Sequence, residues 1–147
     1  MAGCNNTTGY KNIFIGCKAG AGNNTGYCNF YVGPQAAGSF GGGSHNFIGG
    51  YQAGYSGSNG SHNFIYGQVA FNKVCSSDNI AIGEYAGYNF CSQNGDNILL
   101  GKYVVSATNG GGRNVAIGRG IVSSGWPSGG VASAVCENVI LGYEALK

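Results

Sequence analysis

His45 and His62 stand in the same short string, SHNFI, 17 residues apart. Imidazoles at a regular spacing could shuttle protons or ligate zinc, copper or nickel. Six cysteines, at positions 4, 17, 28, 75, 91 and 136, include no CxxC pair, so the usual spacing of a zinc knuckle is missing. The five carboxylates are dispersed and no GxSxG nucleophile elbow occurs. With 30 glycines in 147 residues, glycine spacings say nothing about phosphate loops. Catalytic residues, an enzymatic activity and a cofactor are therefore not expected. Trp126 and Pro127, in the stretch SSGWPSGGVASA, could offer a stacking surface to a sugar or a partner protein, or fold back over the last coil.

These residues are positioned by a repeat. A motif of Asn, three mostly apolar residues and Gly recurs eight times, with its Asn at 12, 29, 46, 63, 79, 97, 114 and 138. The steps are 17, 17, 17, 16, 18, 17 and 24 residues. A near-constant step marks a solenoid, in which each unit buries its apolar face against its neighbours. Within the motif, triplets such as Ile13-Phe14-Ile15 and Val139-Ile140-Leu141 are short and β-branched or aromatic, so they read as strands. The closing Gly suits a tight corner. A second short segment, such as CKAG, YQAG or EYAG, reads as the other strand of each coil, and Gly, Asn and Ser supply the turns. The expected fold is all-β, a single parallel β-solenoid domain over residues 1–147 of about eight 17-residue coils, with a loop insertion at 123–135. Coils stacked at the ~4.8 Å strand spacing would span roughly 40 Å.

Stacking turns phase into proximity. The eight motif asparagines, Asn12, Asn29, Asn46, Asn63, Asn79, Asn97, Asn114 and Asn138, would form a hydrogen-bonded ladder. Cys75 and Cys91 each lie twelve residues after their motif Asn. They should meet either as a disulfide or as two packed thiols, since the strand spacing falls within the disulfide window. His45 and His62 should stack too, as a metal site if their rings face a symmetry axis, otherwise as a solvated or Asn-bonded pair. Their column continues as Asp78, Asp96, Arg113 and Glu137, a polar edge with one useful pairing.

Side chains alternate along a strand. With the first and third residues of each triplet placed inside the coil, the middle column faces outward: Phe14, Tyr31, Ile48, Ile65, Ala81, Leu99, Ala116 and Ile140. An apolar stripe on the outside of a solenoid seeks a partner, so this column is the expected homo-oligomer interface. The chain begins at AGCNNTTGYK, which aligns with AGAGNNTGYC, and stops near the same phase at YEALK. Head-to-tail joining into a polymer is thus open, as is capping by a larger protein or other subunits.

Composition removes other classes. Charged residues are 8% and the net charge is +2, without a basic run, so nucleic acid is not an expected partner. No stretch approaches the roughly 20 apolar residues of a membrane span, and no basic start with an apolar core marks an export signal. N-x-[ST] triplets fall at Asn5, Asn6, Asn23 and Asn59, relevant only where glycosylation occurs.

The copies DNIAIGEYAG, RNVAIGRGIV and ENVILGYEAL resemble the YadA-like head repeats of trimeric autotransporter adhesins, also found in phage and giant-virus fibre proteins. The resemblance covers essentially the whole chain. It implies a left-handed β-roll, a homotrimer packed along its inner strands, and a role in attachment or as a fibre shaft. This chain departs from that pattern in its longer period and lacks a coiled-coil stalk and membrane anchor. The expectation is therefore a structural fibre or filament subunit that serves in surface attachment, extracellular or on a virion. The alternative is a tip module that binds a host-surface glycan or protein.

Overall fold

The computed structural model describes residues 1–90, 95–105, 111–121 and 137–145. The loop insertion at 123–135, with Trp126 and Pro127, lies outside the described residues, as do Cys91 and Cys136. The fold is an all-β parallel solenoid. Its strands are β1 (Ile13–Ile15), β2 (Phe30–Val32), β3 (Ser39–Phe40), β4 (Phe47–Gly49), β5 (Ser56–Gly57), β6 (Phe64–Tyr66), β7 (Lys73–Val74), β8 (Ile80–Ile82), β9 (Ile98–Leu100), β10 (Val115–Arg119) and β11 (Val139–Tyr143). Eight of them form one long sheet in the order β1-β2-β4-β6-β8-β9-β10-β11, and β3-β5-β7 form a short second sheet.

The register is the one the repeat predicts. Phe14 pairs with Tyr31, Tyr31 with Ile48, Ile48 with Ile65, Ile65 with Ala81, Ala81 with Leu99, Leu99 with Ala116 and Ala116 with Ile140. Neither the 16- and 18-residue steps nor the final 24-residue step shifts it. The expected eight coils are better described as eight rungs, joined by about six turns of ~17 residues and one longer connection.

Two expectations change. The segments CKAG, YQAG and EYAG are turns, not strands. Among the described residues the second sheet lies two to three residues beyond these turns, in three coils. The small residue within those turns still has the role of a close wall: Ala19, Ala36, Ala53, Ala70 and Ala86 form one buried column.

The second change concerns direction. The middle column is the core, not an outer interface: Tyr31, Ile48, Ile65, Ala81 and Leu99 are all 0% exposed, Ala116 and Ile140 are buried, and Phe14 is partly buried against them. Side chains alternate along the triplet as expected, but with inside and outside exchanged. The motif Asn is itself buried, as at Asn29, Asn46, Asn63, Asn79 and Asn97. The residue two places later must then point inward as well. Across the narrow interior, the middle column meets the alanine column and a third one containing Phe40, Val74 and Phe90. Tyr31 and Phe40 pack edge to face with centroids 6.3 Å apart.

The ladder is present in atomic detail. From Asn46 onward the Asn backbone N–H and side-chain amide both donate to the Oδ1 of the Asn before it. For Asn46 on Asn29 the distances are 2.9 and 3.1 Å, for Asn63 on Asn46 2.9 and 3.0 Å, and for Asn79 on Asn63 3.0 and 2.9 Å. The pattern runs on through Asn97, Asn114 and Asn138. At the first step, the Asn29 N–H donates to Asn12 Oδ1 at 2.9 Å.

Non-glycine residues with positive φ recur just before each motif Asn, including Lys11, His45, His62, Asp78 and Arg113, at φ between 55° and 61°. Each such conformation costs on the order of 1 kcal/mol. It is imposed by rung-to-rung bonds, such as His45 N–H to the Tyr27 carbonyl at 3.0 Å and Asp78 N–H to Ser61 at 3.0 Å.

Burial holds the Tyr31 phenol neutral, with its pKa pushed well above the ordinary 10.0. The Asn46 amide lies near enough to oppose this, yet no hydrogen bond of ordinary geometry reaches Oη, so desolvation dominates. A phenol that ionises only in the unfolded chain supports the fold fully below about pH 10 and progressively less above it. Replacing Tyr31 by Phe should therefore flatten the loss of stability between pH 9 and pH 11, leaving stability at pH 7 within about 1 kcal/mol. Denaturant titrations at several pH values would measure this, and an unchanged alkaline slope would contradict it.

Candidate functional site

With the middle column inside, the first and third residues of every triplet form the outer face of the long sheet. Ile15 and Tyr66 are each 54% exposed and Leu141 is 63% exposed. Ile13, Phe64, Ile80, Ile82, Ile117 and Val139 are also exposed. None of the residues in these two columns is charged. The rung spacing stacks their rings: Phe30 on Phe47 with centroids 5.2 Å apart, and Phe47 on Phe64 at 4.7 Å. Eight rungs make a flat apolar strip about 34 Å long. This strip is what the sequence reading missed. The signal was available: an Asn that bonds along a protected ladder fixes which parity faces inward.

The strip has polar borders. One is the column before the motif Asn, from Lys11 and Cys28 through His45, His62, Asp78, Asp96 and Arg113 to Glu137. Within it, His62 Nδ1 lies 3.8 Å from Asp78 Oδ1, and Arg113 pairs with Glu137 at 2.8 Å. The other border lies just past the corner glycines, where Lys102 bonds Glu84 at 2.6 Å and Lys102 and Arg119 lie over the Tyr103 and Tyr143 rings.

His45 and His62 stack as expected, with centroids 5.1 Å apart and planes within 11°. Ligating lone pairs lie in the ring plane, so two nearly parallel rings at this separation aim side by side rather than at one ion. Among the described residues no three His, Cys, Asp or Glu side chains converge on a metal site. His45 instead meets the edge of Tyr27, itself stacked on Tyr10.

Cys75 is disulfide-bonded, while its candidate partner Cys91 is among the residues not described. Cys4, Cys17 and Cys28 are free thiols. Of the N-x-[ST] asparagines, Asn23 is fully buried and donates to the Gly26 carbonyl at 3.0 Å. It is closed to a glycosyltransferase in the folded chain. Asn5 and Asn59 are exposed.

No helix among the described residues is long and apolar enough to cross a membrane. No family model, curated protein or solved structure matches the chain. Its architecture is shown by its own register and hydrogen bonds: a β-solenoid with asparagine ladders, a fold compatible with structural or adhesive roles.

Proposed function

We propose that this chain is a non-catalytic structural subunit that associates with copies of itself into a fibre or filament serving surface attachment, outside the cell or on a virion. One observation carries the reading: an uncharged apolar strip, exposed on five rungs and part-exposed on the other three, runs along the long sheet. A strip of this kind on a stable scaffold marks an interaction surface. Regular rungs also give length and stiffness. The resemblance to adhesin head repeats supports the same reading, with a homotrimer as the assembly it implies. A second reading, a tip that binds host-surface glycan or protein, draws on Trp126 and Pro127 and on the exposed stacked tyrosines Tyr10 and Tyr27.

The test compares two substitutions one residue apart. Phe64→Glu alters an exposed side chain on the strip and should leave a folded chain that no longer associates. Ile65→Glu buries a carboxylate in the core and should prevent folding, a loss of several kcal/mol. Circular dichroism reads folding, while light scattering and negative-stain images read assembly. A wild-type chain that stays single at high concentration, or a Phe64→Glu variant that assembles normally, would refute the proposal.

A further inference from the structure

Resting on that reading, we infer that the fibre lengthens by joining the β11 end of one copy to the β1 end of the next, with two glutamate–lysine pairs closing each joint. The argument is charge complementarity between the two ends of the long sheet. The first rung reads KNIFIGCK over residues 11–18, and the last reads ENVILGYE over residues 137–144. They are one motif with both flanking lysines exchanged for glutamates. Lys11, Lys18, Glu137 and Glu144 are all exposed, and no rung between them carries a charge on both flanks. Stacked head to tail, Lys11 lies over the partner's Glu137 and Lys18 over the partner's Glu144.

The columns continue through the joint. The border before the motif Asn alternates in sign through Asp96, Arg113 and Glu137, and the partner's Lys11 carries the alternation on. Phe14 follows Ile140 in the core, and Ala19 follows Ala145 in the alanine wall. The backbone fits as well. Among the described residues β1 pairs only with β2, and β11 only with β10. Ile13 N–H donates to the Asn29 carbonyl at 2.8 Å, and the Ile15 carbonyl accepts from Gly33 N–H at 2.7 Å. The Phe14 N–H and carbonyl therefore face the other way, off the end of the sheet. Such an edge is a template for another strand, and β11 meets it in the parallel register of every other rung. Met1 and Ala2 share the phase of Glu144 and Ala145, so they move aside on joining; both are exposed, Met1 by 91%.

Reversed joints are disfavoured by charge. Two β1 ends would bring four lysines together, and two β11 ends four glutamates. Like charges across an interface suppress the wrong arrangement more strongly than matched rim charges strengthen the right one. One solenoid edge is narrow, so the joint holds when the proposed homotrimer presents three edges at once and the links act together.

The experiment mixes two charge-reversed chains. One carries Lys11→Glu and Lys18→Glu and is acidic at both ends. The other carries Glu137→Lys and Glu144→Lys and is basic at both ends. The four positions have φ between 51° and 63°, and each phase already holds Lys on one rung and Glu on another, so the exchanges suit the backbone. Circular dichroism reads folding, negative-stain images read particle length and light scattering reads mass. The expected result is that wild-type particles lengthen with concentration, that either variant alone is shorter by about tenfold or more, and that an equimolar mixture regains the wild-type length. Folded variants that lengthen alone as wild type does, or a mixture that stays short, would overturn the joint. In wild-type fibres a zero-length carbodiimide should also link Lys11 to Glu137 and Lys18 to Glu144. These residues stand about 34 Å apart in one stack, so each link joins two molecules, and fibres lacking both links would overturn the joint even where a variant fails to fold. A wild-type oligomer of one small mass at every concentration would overturn the joint and leave association through the strip intact. A single-chain mass would overturn the joint and the proposed function together.

Discussion

Replacing Asn63 by Ala is expected to lower the thermal midpoint by about 10 °C. Asn63 sits mid-ladder and serves four bonds. Its Oδ1 accepts from the Asn79 N–H at 3.0 Å and from the Asn79 amide at 2.9 Å, and its own amide donates to Asn46 Oδ1 at 3.0 Å and to the Ser76 carbonyl at 3.1 Å. Alanine removes all four; Asn46 Oδ1 keeps the Asn63 backbone N–H, but the buried Asn79 N–H and the Ser76 carbonyl lose these partners. A buried orphan costs about 1–3 kcal/mol, so a total of about 3–4 kcal/mol is reasonable after relaxation. For a chain of this length each kcal/mol shifts the midpoint by about 2–4 °C. Calorimetry checks it, and a shift below about 2 °C would mean that the ladder follows from the stack rather than holding it together.

Gly33→Ala should be at least as damaging, for a steric reason. Gly33 has φ of 124°, a conformation nearly closed to other residues. A Cβ there would stand 2.7 Å from the Gly50 carbonyl oxygen and 2.9 Å from its carbon. Both atoms are backbone of the next rung, so relief requires the rungs to separate and their ladder bonds to stretch. A loss of about 4 kcal/mol is expected, strain and broken pairing together. Gly41→Ala is the control: its Cβ would meet nothing closer than 3.6 Å, and it should change stability by less than about 0.5 kcal/mol. Denaturation midpoints of the two variants compare them directly. Equal effects would remove the claim that corner glycines set the rung spacing.

Much of this was legible because phase alone determines what touches in a stack. The spacing of Asn12, Asn29 and Asn46 predicted both the ladder and the strand register. The repeated SHNFI string likewise predicted the stacking of His45 on His62. The second strand was misplaced because AG-containing turns and short strands are alike in length and in their small residues. Only backbone pairing distinguishes Ser39-Phe40 from the turn before it. Left-handed backbone at Lys11, His45 and Arg113 had no compositional sign, since no glycine or asparagine stands there. Contacts with the neighbouring rung impose it.

The candidate site was half legible. That one parity of the triplet forms an apolar outer stripe followed from its being apolar on both faces. Which parity did not follow from the triplet, because Ile13-Phe14-Ile15 is as greasy one way as the other. The answer depended on the ladder Asn two residues before each middle residue, buried at Asn29, Asn46 and Asn63, and on the alanine column across the interior, a contact between segments distant along the coil.

The amino-acid sequence by itself determined the repeat, the coil length and the columns, because a period is a property of order along the chain. The tertiary structure alone decided which side of each column is in and which is out. Inside and outside exist only once a coil has closed around a volume, and that closure left the Phe47 and Tyr66 faces, not Ile48, in contact with water.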